Sequence, residues 1–300
     1  MKVSVIGAAN VDVLATPLGK YVPRDSNPGK VEIGFGGVGR NIAHNLALLG
    51  CEVDLCTAFG GDSVAKALME SCEKVGMELR NSVILPESRS NFFLCISDEY
   101  GEMRSAVSDM EIMENLDSRM LHSRLDSFNS SDAVVIDCNL PGWSILYLVN
   151  RITVPLFIDA TSSIKASLLS VLLGGMLKQP NVTLKVNRLE AQTLTHIQDP
   201  ARSAEWLLSN GFKRVIVTLG KDGVYCASED EHFKLGAKRV DVVNSTGAGD
   251  ALLACVVYAL LSGRPFKEAV ELGLRGAALA LQSPLAINEE ISKLKYSTPQ

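Results

Sequence analysis

The chain has 300 residues, 47% hydrophobic and 21% charged, with a formal net charge of −5 at pH 7. It is too apolar for a disordered chain and long enough for one large α/β domain. The acidic balance, with no run of basic residues, argues against a nucleic-acid surface and leaves small molecules as the expected partners.

No apolar run reaches the length of a membrane span, and MKVSVIGAANVDVLA reads as a buried strand rather than a signal peptide. A cytoplasmic protein without membrane contact is expected. Cys51, Cys56, Cys72, Cys95, Cys138, Cys226 and Cys255 are scattered through apolar segments without a CxxC pair, and read as reduced core residues. His44, His122, His196 and His232 lack metal-ligand spacing.

In chain order, Val3–Ile6 predicts a strand, followed closely by Asn10 and Asp12. At the carboxyl end of a strand in an open α/β sheet, an amide and a carboxylate can bind sugar hydroxyls or simply close an Asx turn. The segment Val13–Glu32 is an excursion from the main sheet. The loop GFGGVGRN then opens a helix expected over Asn41–Leu49 and ended by Gly50. Its glycines let a substrate lie against backbone near Gly37, with Asn41 beside it. No Gly-Lys-Ser/Thr follows, so it is not a P-loop.

A strand is expected over Glu52–Thr57, then a helix over Ser63–Val75 capped by Asp62, then an extended Met77–Leu85. SNFFLCIS (Ser90–Ser97) and Glu102–Val107 flank the turn DEYG and read as a hairpin. With 13–32, this hairpin at about 90–108 makes a small β-sheet lid on a single domain spanning 1–300. Its run Phe92, Phe93, Leu94 and Ile96 is too apolar for a hairpin that stands alone, which predicts a homodimer through the lid.

Strands and helices then alternate: helix Ser118–Ser127, strand Ala133–Asp137, helix Trp143–Arg151, strand Pro155–Asp159 and helix Ser163–Leu173. Strand Val182–Asn187, helices Leu189–His196 and Pro200–Ser209, and strand Arg214–Leu219 follow, then extended Gly223–Ala227 and Glu231–Leu235. This order predicts a parallel sheet with helices on both faces. Asn187 and Glu190 are three apart at a strand-to-helix junction, where they can meet a hydrated Mg²⁺ or form a helix cap. Thr218, Gly220 and Gly223 in TLGKDG border a nucleotide or make a hairpin turn.

VVNSTGAGDALL, residues 242–253, reads as a short strand, a Gly-Ala-Gly turn and an apolar helix from about Ala248. Free N–H groups at that helix start suit an anion, and Asp250 beside them can take a proton, which fits phosphoryl transfer to a hydroxyl. The alternative is an aspartate favoured by the helix dipole beside glycines that only shape the loop. A helix Pro265–Leu281 and an amphipathic turn Glu289–Leu294 close the chain.

Asn10 and Asp12, GGVGRN, Asn187/Glu190, TLGKDG and STGAGD together resemble, in order and spacing, the ribokinase-like (PfkB) family of carbohydrate and nucleoside kinases over nearly the whole chain. The resemblance implies a Rossmann-like α/β/α sandwich with a small β lid, using ATP and Mg²⁺. It implies Asp250 as general base, Gly247, Ala248 and Gly249 as anion hole, and Asn187 with Glu190 organising Mg²⁺. Thr218, Gly220 and Gly223 then line the nucleotide site together with Asn187, Gly247 and Gly249, with Ala278 and Gln282 near the adenine. Asn10, Asp12, Gly37 and Asn41 hold the sugar.

GGVGRNIAHNLALLG, GEMRSAVSDMEI and DATSSIKA resemble the branch that phosphorylates the 5′-hydroxyl of pseudouridine. For such a substrate the small residues along Asp159–Ser163 give room, and Thr161, Ser162 and Lys165 are free to meet polar edges of a uracil; the alternative for Lys165 is a solvated helix residue. Ribose, fructose or adenosine kinases would keep the same catalytic residues, and a non-catalytic binding relative would be expected to lack Asp250 or the glycines. Asn244 stands where many members carry Asp at a monovalent-cation site, which puts K⁺ activation in doubt.

Overall fold

The apolar runs VSVI, VVID and LFID leave no polar face, so a sheet built from them needs cover on both sides. The computed structural model, which describes residues 1–173 and 181–296, supplies it. Nine strands form one sheet in the order His232–Leu235, Val224–Ser228, Arg214–Thr218, Val182–Asn187, Leu156–Asp159, Ala133–Asp137, Lys2–Ile6, Glu52–Cys56, Met77–Glu78. The pairings from Arg214–Thr218 through Met77–Glu78 are parallel, and the two strands at the other edge are antiparallel.

Strand alternation divides the core. Val3, Val5 and Val135 face the helices Val38–Leu48, Ala248–Leu261 and Phe266–Leu281. Ile6, Val134 and Ile136 face the helices Gly142–Val149, Arg188–Thr195 and Pro200–Ser209. The Ala248–Leu261 helix is apolar on every side, and it is buried without interruption from Asp250 to Ala259.

A separate sheet of four strands has the order Gly29–Gly36, Asn10–Pro17, Asn91–Ser97, Met103–Asp109. The excursion after Val13 is thus an antiparallel pair with the three prolines in or beside its turn region. Residues Asn10 and Asp12 are the start of this sheet, not the tail of the first main-sheet strand.

Several boundaries differ from the sequence reading. The first helix begins at Val38 because Gly37, at φ 99°, completes the turn and the residues after it are free to be helical. The helix expected over Ser118–Ser127 is two short ones, Ser118–His122 and Leu125–Asn129, and the one over Ser163–Leu173 tightens to a 3₁₀ turn after Ala166. Val242–Asn244 is no strand. Both valines are exposed, and the Asn244 side chain takes over the local bonding, accepting from Thr246 N–H at 2.9 Å and donating to the Pro284 carbonyl at 3.1 Å. Among the described residues, no helix is long and apolar enough to cross a membrane.

Candidate active site

The helix Ala248–Leu261 starts at Gly247, whose φ of 82° suits glycine and whose Cβ would strike the Ala286 carbonyl. Ala251 N–H bonds the Gly247 carbonyl at 2.9 Å and is the first in-helix donor, so the amides before it remain available to a ligand. Asp250 is 8% exposed and accepts Asn41 Nδ2–H at 2.9 Å. Burial, and then the neighbouring Asp159 carboxylate, push its carboxyl up to about 7 against the opposing pull of Lys185 and Asn41. A carboxyl so placed can exchange a proton near neutral pH.

On the other side of Asp250 lies the glycine loop. A Cβ at Gly36 would overlap the Asp12 carboxylate, and one at Gly37 would sit 2.5 Å from Asn10 Oδ1. Asn10 Nδ2–H donates to Asp12 Oδ1 at 2.7 Å. Burial raises the Asp12 carboxyl to about 6, with the Asn10 bond and Arg40 holding it lower than burial alone would. The Oδ1 atoms of Asn10, Asn41 and Asn91 are buried and have no hydrogen-bond partner among the described residues. A buried amide carbonyl without a partner is costly, and a hydroxyl donor relieves it.

A cleft of about 540 Å³ runs along the opposite flank of the turn, lined by Thr218, Gly220, Gly223, Ala248, Gly249 and Ala278, among others. The N-terminus of the Ala248 helix therefore has the glycine loop, through Asn41, on one flank and this largely apolar cleft on the other.

Comparisons with known proteins identify the family and the fold. Residues 1–293 match the pfkB family carbohydrate kinase model. The chain is 34% identical over 297 residues to a pseudouridine kinase of Escherichia coli (strain K12), covering 97% of this chain and 93% of that protein. It is 26% identical over 292 residues to a guanosine-inosine kinase of Exiguobacterium acetylicum, covering 94% and 95%. An Arabidopsis thaliana ribokinase complexed with ribose and ATP superposes with a TM-score of 0.84 at 19% identity, covering 99% of each chain. The chain belongs to the pfkB carbohydrate kinase family. Its fold is the ribokinase-like α/β fold.

Within this family member, Asn187 and Glu190 close a reciprocal cap on the helix Arg188–Thr195. Glu190 N–H donates to Asn187 Oδ1 at 2.9 Å, while Asn187 N–H and Nδ2–H each donate to a Glu190 carboxylate oxygen at 2.7 Å. Each carboxylate oxygen keeps a lone pair, so the pair fits a hydrated Mg²⁺ met through its water shell rather than a bare ion. Burial raises the Glu190 carboxyl, and Lys185 and the Asn187 N–H counter it.

Other expected site residues sit differently. Gln282 is exposed, at the end of the helix Phe266–Leu281, and is not among the cleft-lining residues; Leu281, one position earlier, is. The helix turns its 278 and 281 positions to the cleft and carries 282 past it. Thr161 adopts φ 67°, and its Oγ1 accepts Cys138 N–H at 3.0 Å, so the hydroxyl is engaged within the protein. Lys165 is half-buried on the short helix Ser163–Ala166 that follows. Asn244 offers no free carboxylate for a monovalent cation, and its amide is bonded at both ends.

Sequence reasoning missed a row of charged residues at the strand ends. Asp137 pairs in register with Asp159, and Asp159 with Lys185. Asp137 is fully buried and accepts Ala8 N–H at 2.9 Å and Gly39 N–H at 2.8 Å, which ties the glycine loop to the main sheet. Asn91 was also missed; it is the register partner of Asn10 on the adjacent strand.

Proposed function

We propose that this protein is an ATP-dependent kinase that phosphorylates the 5′-hydroxyl of pseudouridine. The observation that carries phosphoryl transfer is the meeting of Asn41 and Asp250 at the start of the Ala248 helix, with unpartnered Asn10 and Asn41 oxygens alongside. The acceptor itself rests on the 34% identity to a pseudouridine kinase across nearly the whole chain.

In this reading the sugar lies between the glycine loop and the small sheet. Asp12, Asn10, Asn41 and Asn91 take its hydroxyls, and Gly37 gives it room. Thr161 sets the backbone at the end of the strand Leu156–Asp159, and Lys165 meets the uracil. ATP fills the cleft lined by Thr218, Gly220, Gly223 and Ala278, with its terminal phosphate at the amides of Gly247, Ala248 and Gly249. Asn187 and Glu190 hold hydrated Mg²⁺, which neutralises charge on the phosphates. Asp250 takes the hydroxyl proton as the acceptor oxygen attacks. Donors fixed at the helix start then stabilise the developing charge without reorganising.

The small sheet serves as lid and dimer interface. Asn10, Asp12 and Phe93 share one face by strand alternation and register, and that face holds the sugar-binding groups. Ile33, Val13, Leu94 and Val107 form a register row across all four strands on the opposite face. Ile33 and Val107 are 70% and 62% exposed, and a second copy of the chain covers this row in the proposed homodimer.

A coupled ADP-release assay with pseudouridine, uridine, adenosine, ribose and fructose, side by side, tests the substrate. Pseudouridine is expected to give the highest kcat/KM. Equal or better efficiency with ribose or fructose overturns the pseudouridine assignment, and no ADP release with any acceptor overturns the kinase reading.

A further inference from the structure

The Lys185 side chain lies inside the strand Val182–Asn187 with its ammonium 2.9 Å from Asp159 Oδ2 and only 7% of the residue exposed. Its position explains Gly249. A Cβ at 249 would lie 2.7 Å from Lys185 Nζ and 3.3 Å from its Cε, so the anion-hole turn rests directly on the ammonium. Burial works against its charge, and the Asp159 carboxylate 2.9 Å away pairs with it. A buried charge is costly unless paired, and one that touches a ligand-binding turn is placed to act on the ligand.

We infer that Lys185 is a positioning residue for phosphoryl transfer, a fixed cation clamped by Asp159 beneath Gly249 that favours a γ-phosphate at the start of the Ala248 helix. The inference rests on the kinase reading above and adds to it a residue outside the glycine motifs. In the step it serves, the acceptor oxygen forms a bond to the γ-phosphorus and gives its proton to Asp250. The bond from that phosphorus to the bridging oxygen breaks, and its electron pair leaves with ADP. Negative charge shifts from the γ-phosphoryl toward the leaving ADP while Lys185 neither gains nor loses a proton. Its contribution is a field through the Gly249 backbone, in a site shielded from water.

A purely structural role makes a different prediction, because breaking a buried ion pair is destabilising whereas replacing both partners with neutral groups is often tolerated. The test therefore compares Lys185→Met with the double variant Lys185→Met/Asp159→Asn. Asparagine at 159 keeps an oxygen for the Thr161 N–H that now bonds Asp159 Oδ1 at 2.8 Å. Melting temperature, kcat, KM and calorimetric affinities for ADP and for adenylyl imidodiphosphate are read for each protein.

The double variant is expected to recover the melting temperature lost in the single one, yet to remain about 10²-fold low in kcat with acceptor KM little changed. It is also expected to lose the preference for the triphosphate analogue over ADP. A double variant with wild-type kcat and an unchanged analogue preference would overturn the assignment and leave Lys185 as a structural partner of Asp159. Wild-type protein that binds neither nucleotide would overturn the kinase reading and the Lys185 inference together.

Discussion

Asn41 donates its amide N–H to Asp250 at 2.9 Å across a sequence separation of 209 residues. Each residue sits near the start of a helix that opens from a glycine turn, one following a strand of the small sheet and the other beside the cleft lined by Thr218 and Gly220. The bond joins the end of the glycine loop to the first turn of the Ala248 helix, the two places where the proposed function puts the acceptor and the phosphate. Asn41 Oδ1 is buried and has no hydrogen-bond partner among the described residues.

The raised Asp250 carboxyl sets a pH dependence. Buried and beside Asp159, with Lys185, Asn41 and Asp137 as its other neighbours, it carries a pKa of about 7. A protonated carboxyl cannot take the hydroxyl proton, so kcat/KM for the acceptor is expected to fall as pH drops through that value and to level off above it. A profile flat from pH 5.5 to 8.5, under conditions where the protein stays folded, contradicts this.

Gly249→Ala introduces a methyl group where Lys185 already lies. The expected result is a kcat lower by about tenfold or more, since small misplacements around a reacting centre cost up to about 10²-fold. Gly19→Ala is the control, because a Cβ there meets open space. Equal kcat for both variants would show that the close approach at Gly249 has no catalytic consequence.

Much of the fold was legible in the sequence because apolar runs, caps and glycine stops are local signals. The parallel strands, the two long C-terminal helices and the turn at 247–250 follow from them. The row Asp137, Asp159 and Lys185 was not, although each lies at or near the carboxyl end of a strand where ligand groups gather. Lys185 in VTLKVN is a charge in an apolar strand, and that mismatch was the available signal. Asn91 gave none, since its role depends on lying beside Asn10 in a parallel pairing between strands far apart in the chain. Val242–Asn244 misled because two valines favour a strand, whereas the Asn244 side chain bonds and a register with no neighbouring strand leave them in an exposed loop.

Arginine at Ile33 and Val107 places charge in the middle of the exposed apolar row of the small sheet. The doubly substituted protein is expected to scatter light as a monomer at micromolar concentration where wild type scatters as a dimer. A wild-type protein that is monomeric under those conditions, with acceptor present, refutes the proposed interface.

The most direct test of the central claim, that Asp250 is the proton acceptor in transfer to a hydroxyl, is Asp250→Asn. Asparagine keeps the size of the side chain and leaves the helix-start amides in place. Steady-state ADP release with pseudouridine is predicted to fall about 10²- to 10⁴-fold in kcat, the usual range for loss of a general base. Nucleotide affinity measured by calorimetry on the same protein is predicted to stay close to wild type. A variant that retains wild-type kcat at neutral pH would contradict the account.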